Sequence, residues 1–480
     1  MAAALRARPR PIRPLILLAA AVVVVATSQA WSVLGSARSG GTSTGPAAGG
    51  AGSQTSATSR LAPADGLPPA IDPAIGRLDA AIPVWSANLR DDPADFVSAS
   101  NLALIRYTRG RLTGDIEDYA AAQAAIRLAL AAYPTDPAAQ ALDAVVRATL
   151  HDFAGALREA QGVYSRDPGQ LQALATIGDA ALELGRYDLA ASTYATLARL
   201  APSAAVTSRL AHLAQIEGRL DEASRLAARA AAEAVTEGST GPSLAWYQVL
   251  NGSIAFQAGD LTASETAFRA AISEWPTSYS AWSGVGRTLA AEGRLADGIA
   301  AYERAIAIVP QPDSLAALGD LLTLSGQPAA AERQYATVRF IATLGAVQRQ
   351  VYDRSLALFL ADHGTDTARA VQLASAEIAV RKDVYGWDAL AWTLLADGRA
   401  NDADAAMRHA LAMGTQDAML DYHAGMIAVA LGRTDQGRHL LATALELQAG
   451  FQPLQAERAR VTLARLDAEA GARLGRAAAR

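Results

Sequence analysis

Six histidines, at positions 151, 212, 363, 409, 423 and 439, are the first candidates for acid–base or metal chemistry in this 480-residue chain. None falls into the H-E-x-x-H pattern or another spacing that turns two imidazoles toward one ion. Asp402 and Asp404 follow Asn401, but no glycine and distal glutamate complete a calcium loop, so both are expected to cap a helix start. The single lysine, Lys382, has no glycine-rich phosphate loop before it. Gly41-Thr42-Ser43-Thr44-Gly45 matches the nucleophile-elbow pattern, which requires a strand before the serine and a helix after it. The surrounding run of Gly, Ser, Thr and Ala supports neither. With no cysteine in the chain, disulfides, thiolate ligands and a cysteine nucleophile are excluded. The residues nominate no catalytic, cofactor or metal site, and the chain is expected not to be an enzyme.

Charge narrows the partners. The first 60 residues hold six arginines and no acid, so they contribute +6 to a formal net charge of −5 and leave −11 on the rest. An acidic body with scattered arginines lacks the basic stripe that nucleic acid requires, and no nucleic-acid partner is expected.

The elements that would position any site are set by a repeat. Gly252, Gly259, Phe268, Ala271 and Pro276 return 34 residues later as Gly286, Gly293, Tyr302, Ala305 and Pro310. In one unit, Trp282 and Leu289 flank Gly286 on a first helix, and Ile299, Tyr302, Ala305 and Ile306 recur at helical spacing on a second, which Pro310 stops. A glycine within a helix costs roughly 1 kcal/mol relative to alanine; close approach of the second helix would offset that. Two short helices bury too little surface alone, so such units must stack into a solenoid.

These residues resemble the tetratricopeptide repeat. Trp282, Gly286, Gly293, Gly298, Tyr302, Ala305 and Pro310 fill that family's positions in order, with Gly298 where the family usually has Ala. Gly178, Gly185, Ala190, Tyr194 and Pro202 fill them again, and Gly398 and Gly432 continue the phase. The expected fold is all-α: a tetratricopeptide-like α-solenoid of about nine or ten hairpins over residues 92–451, with a capping helix and tail at 452–480. Asp92 is expected to cap the first ordered helix.

Residues 1–35 combine Arg6, Arg8, Arg10 and Arg13 with an apolar run from Leu15 to Ala26 that continues weakly to Leu34. They read as a signal anchor of bacterial type, or as a signal peptide cut near Ser28-Gln29-Ala30. Either places the solenoid outside the cytoplasm: at the cell membrane if anchored, periplasmic or secreted if cleaved. Residues 36–91 are rich in Gly, Ser, Thr, Ala and Pro and are expected to form a flexible linker, irregular from Leu61 to Pro93 apart from one short helix around Ile75 to Leu89.

The resemblance assigns partner binding to the concave face, lined by first helices. In phase, that face would carry His212, Trp246, Phe256, Arg287, Tyr385, Asp388, Trp392 and Tyr422. Aromatics beside single charges suit an extended peptide or a helix of a protein partner. The expected function is a non-catalytic, membrane-tethered interaction scaffold. A glycan or small-ligand binder is the alternative that a deep aromatic-lined pocket would favour; an envelope hydrolase would need a nucleophile and base in reach. One subclass of the family grips a C-terminal carboxylate with lysine and asparagine, and this chain has no matching pair.

Overall fold

The computed structural model describes residues 73–347 and 354–478. The predicted export segment and most of the predicted linker lie outside them. Every regular element among the described residues is helical. A leading helix, α1 (Pro73–Asp91), precedes ten hairpins. The first five are α2 (Phe96–Thr113) with α3 (Ile116–Ala132), α4 (Pro137–Thr149) with α5 (Phe153–Arg166), α6 (Leu171–Glu183) with α7 (Tyr187–Leu200), α8 (Ala204–Ile216) with α9 (Leu220–Thr236), and α10 (Pro242–Gln257) with α11 (Leu261–Glu274). The second five are α12 (Tyr279–Ala291) with α13 (Leu295–Ile308), α14 (Pro312–Leu324) with α15 (Pro328–Val347), α16 (Arg354–Asp362) with α17 (Thr367–Val380), α18 (Val384–Ala396) with α19 (Ala400–Ala410), and α20 (Ala418–Ala430) with α21 (Thr434–Leu447). A long final helix, α22 (Pro453–Ala478), follows.

Local sequence explains the starts. Asp115, Asp136, Asp152 and Asp260 each place a carboxylate on backbone N–H groups of the following first turn, satisfying donors that have no partner within the helix. Three expectations need correction. The cap of α2 is Asp95, which accepts from Val97 and Ser98; Asp92 instead accepts from Ala94 in the turn before it. The helix expected around Ile75 to Leu89 is present as α1, so ordered helix begins before Asp92; Asp79 receives the Arg109 guanidinium at 2.7 Å and Leu89 packs at the foot of α2 and α3. Asp402 and Asp404 lie inside α19: Asp402 pairs with Arg399, and Asp404 receives Arg433 of the next hairpin at 2.7 Å. Arginine side chains reaching back from the helix start made those acids the pairing partners of the turn.

In five of the hairpins, a glycine of the first helix receives an aromatic of the second. A Cβ added to Gly178 would stand 2.3 Å from the Tyr194 ring, one on Gly286 would stand 2.8 Å from Tyr302, and one on Gly319 would stand 2.2 Å from Tyr335. The helices are therefore as close as those glycines allow, and Tyr194 and Phe268 become core residues.

Successive hairpins coil so tightly that the chain meets itself after about five of them. The turn of the first hairpin, at Gly114, lies against Val309 and Gln311 at the end of the sixth. The turn of the third, at Gly185, lies on Lys382 after the eighth; that of the fourth, at Gly218, on Gly414 after the ninth; and that of the fifth, at Gly259, on Leu447 after the tenth. Hydrogen bonds stitch this seam. The Lys382 amide donates to the Glu183 carbonyl at 2.9 Å, the Val384 amide to the Tyr187 hydroxyl at 3.0 Å, and Gln257 Nε2 to the Gln416 carbonyl at 2.7 Å. The Thr415 hydroxyl donates to the Ile216 carbonyl. The solenoid is thus two stacked superhelical turns rather than an open arc.

Candidate functional site

First helices of the repeats face the axis of the coil. Closing the seam converts their shared concave face into a bore holding a cavity of about 740 Å³. Its wall is aromatic and polar together. Tyr119 comes from the first hairpin, Trp246, Tyr247 and Phe268 from the fifth, and Tyr279 and Tyr302 from the sixth, with Arg111, His212, Arg287, Asp320 and His363 among them.

Most of the bore's charges are already committed. Asp179, buried on α6, receives Arg209 in a two-pronged pair at 2.8 and 2.9 Å and the Tyr194 hydroxyl at 2.8 Å. Burial pushes its carboxyl upward against the pull of Arg209. Asp320 takes the Tyr335 hydroxyl at 2.8 Å and His363 Nε2 at 3.0 Å.

At the seam, five buried charges meet. Arg354 contacts Glu377 at 2.6 Å and Asp383 at 2.7 Å, while Arg381 reaches Glu183 at 2.5 Å and Asp383 at 3.3 Å. Two guanidinium groups therefore face three carboxyls. Burial, partly opposed by Arg381, pushes Glu183 up to about 7, whereas Arg354 and Arg381 hold Asp383 below the usual carboxylate range against its own burial. His151, from the turn of the second hairpin, is lowered to about 4 by burial and by those arginines.

The sequence-predicted residues divide into two groups. His212, Trp246 and Arg287 line the bore. His212 is half-buried with Nδ1 3.0 Å from Gln215 Oε1, and burial lowers its pKa. Arg287 lies over the Phe256 ring at 4.1 Å, so Phe256 is the buried platform beneath it rather than a wall residue. The remaining four belong to the packing between the ninth and tenth hairpins. Trp392 stacks on His423 with centroids 4.1 Å apart and donates to Asp362 at 3.0 Å. Asp388 holds His423 Nδ1 at 2.8 Å, Tyr422 is 1% exposed, and Tyr385 points its hydroxyl at Asp417. The buried His423–Asp388 pair is away from the cavity, and a general base must reach its substrate. Among the described residues, no group of three or more histidine or acidic side chains is placed to hold a metal ion. Bore residues that periodicity did not single out include Arg111, Tyr119, Tyr247, Tyr279 and Gln311; they face the ligand space only because distant hairpins are brought together.

Two stretches, residues 144–205 and 249–312, match the model of the tetratricopeptide repeat, and Gly110, Gly178, Gly252, Gly286 and Gly319 each pack against an aromatic of the second helix of their hairpin. The chain carries tetratricopeptide repeats. No curated protein matches it in sequence. Among solved structures, a tetratricopeptide repeat protein from Parabacteroides merdae is 17% identical, with 48% of this chain and 87% of that one covered and a TM-score of 0.38. A monomeric mutant of IFIT1 with m7Gppp-AAAA is 13% identical, covers 78% of this chain and 96% of that one, and has a TM-score of 0.43. The corresponding structure with Gppp-AAAA has the same identity and coverage and a TM-score of 0.44.

Proposed function

We propose that this tetratricopeptide-repeat protein is a non-catalytic interaction scaffold whose binding surface is the inner wall of the bore, and that the bore receives an extended segment of a partner protein. The observation that carries this reading is the aromatic wall brought together from the first, fifth and sixth hairpins, with Trp246 half-buried and lining the cavity. Such side chains supply large contact area at small entropic cost. The enclosure itself favours a second reading, a glycan or other small ligand, because about 740 Å³ lies within the range of small-molecule pockets. A polyphosphate chain is disfavoured: Asp179, Glu183, Asp313, Asp320 and Asp362 all line the cavity.

The extracytoplasmic, membrane-tethered location rests on residues 1–34. No helix among the described residues is long and apolar enough to cross a membrane, and residues 1–34 lie outside them. Co-purification from intact envelopes tests both parts of the proposal. The full chain should fractionate with membranes and recover a partner that a folded Trp246→Ala variant loses. Equal recovery by the variant would place binding elsewhere, and a cytosolic protein would remove the tether.

A further inference from the structure

The seam joins two superhelical turns whose buried charges do not match. Arg354 of α16, Glu377 of α17, and Arg381 and Asp383 of the junction before α18 all belong to the second turn, and each side chain is at most 10% exposed. Two guanidinium groups and two carboxylates make this quartet neutral by itself. The first turn adds one member, Glu183 at the end of α6, whose carboxyl lies 2.5 Å from Arg381 Nε and whose side chain is 7% exposed. Closing the seam with an ionised Glu183 therefore buries one negative charge that the quartet has no spare positive charge to match, and an uncompensated buried charge is costly. Closing it with a protonated Glu183 buries none.

The other groups that face the cluster do not offset this imbalance near neutral pH. In the first turn, burial and the two arginines hold His151 neutral at about 4, burial lowers His212, and burial keeps the Tyr187 phenol un-ionised. Asp179 is paired with Arg209. In the second turn, Asp313 of α14 is raised by burial and bonded to Ser355, which gives it the same sign as Glu183, and the Lys382 side chain is exposed to solvent. We propose that the cluster is a proton-dependent latch: a proton on the Glu183 carboxyl holds the two superhelical turns together, and its loss lets the seam part more often. The rise of Glu183 to about 7 through burial, partly opposed by Arg381, has the sign this requires. A carboxyl raised on closure contributes stability below its unfolded value and loses that contribution as pH rises through the closed-state value. The seam is the side wall of the bore, so the same proton sets how readily that wall opens along its length. The latch is a property of the seam and stands whatever the bore binds.

Native-state hydrogen exchange on the full chain tests it. The Lys382 and Val384 amides donate across the seam, to the Glu183 carbonyl at 2.9 Å and to the Tyr187 hydroxyl at 3.0 Å. The Arg294 amide, bonded to the Leu289 carbonyl at 2.9 Å within the turn of the sixth hairpin, is the reference. With each rate divided by its intrinsic rate, protection at Lys382 and Val384 should fall roughly tenfold or more between about pH 5.5 and about pH 8, while Arg294 changes less than about threefold. Glu183→Gln, which keeps the shape of the protonated acid, should hold the seam amides at their low-pH protection under both conditions. His151→Gly takes an imidazole from the edge of the cluster, at a positive-φ turn position that Gly185 and Gly218 fill in the next hairpins, and should leave the fall intact. Seam protection that stays constant with pH, or a fall that survives in Glu183→Gln, would overturn the latch. An equal fall at Arg294 would also overturn it, by moving the effect from the seam to the whole molecule. A fall abolished by His151→Gly would overturn the assignment of the proton to Glu183.

Discussion

The carbonyl oxygen of Gly414 lies 2.0 Å from the point where a Cβ would stand on Gly218, a residue held at φ 70°. Two features of the fold coincide there. Positive φ ends the first helix of the fourth hairpin, as glycine allows at little cost, and the missing side chain lets the next superhelical turn settle on the backbone. Gly293, Gly326, Gly398 and Gly432 occupy the same turn position in later hairpins and meet nothing within 4 Å.

That difference separates local from long-range roles. Gly398→Ala should cost about 1 kcal/mol, the penalty for placing alanine in left-handed backbone. Gly218→Ala should cost a further 1–3 kcal/mol or so by forcing the seam apart. Denaturant unfolding of both variants measures it; equal losses would mean that the turns do not touch.

Inside a hairpin, Gly286→Leu should drive its side chain into the Tyr302 ring, which already lies 2.8 Å from an added Cβ, at a cost of at least 1–3 kcal/mol. An unchanged melting temperature would contradict the helix contact.

Asp179→Asn retains the shape of the residue but leaves Arg209, 4% exposed, without its counter-charge. Breaking a buried pair on one side costs roughly 3–5 kcal/mol. Thermal unfolding checks this, and a loss below about 1 kcal/mol would show that solvent reaches Arg209.

The five-charge seam gives a pH dependence with a definite sign. Glu183 has its folded pKa raised from 4.5 to about 7 by burial, so folding takes up a proton between those values. The contribution of Glu183 to stability should therefore fall as pH rises from about 5 to about 7, as proton linkage requires. His363 and His423, raised by their bonds to Asp320 and Asp388 despite burial, act in the same direction, whereas His151 and His212, lowered by burial, act in the opposite one. Glu183→Gln should remove its own contribution, so the variant should gain stability relative to the parent as pH rises from about 5 to about 7; a pH profile identical to the parent's would exclude Glu183 as a source.

Much of the hairpin was legible in sequence. The 34-residue recurrence located the turn at Gly293 and the packing of Tyr302 on Gly286, because both depend on residues within one unit. The closure was not legible: Glu183 and Arg381, or Ile216 and Thr415, are about 200 residues apart, and nothing in a local period fixes the pitch of a superhelix. The same gap explains the candidate site. Trp246 and Arg287 face the bore as their helical phase implied, but Trp392 and Tyr422 occupy equivalent first helices where His423, Asp362 and Phe451 fill the space before them.

The most direct test of the two-turn coil is hydrogen exchange at the Lys382 amide in the unmodified protein. Lys382 lies in a junction between helices, and its N–H donates to the Glu183 carbonyl in the other superhelical turn at 2.9 Å. The stacked coil predicts that this amide exchanges slowly, close to the rates of the helices it joins. Exchange as fast as an exposed loop would contradict the closure, and with it the enclosed bore on which the binding account depends.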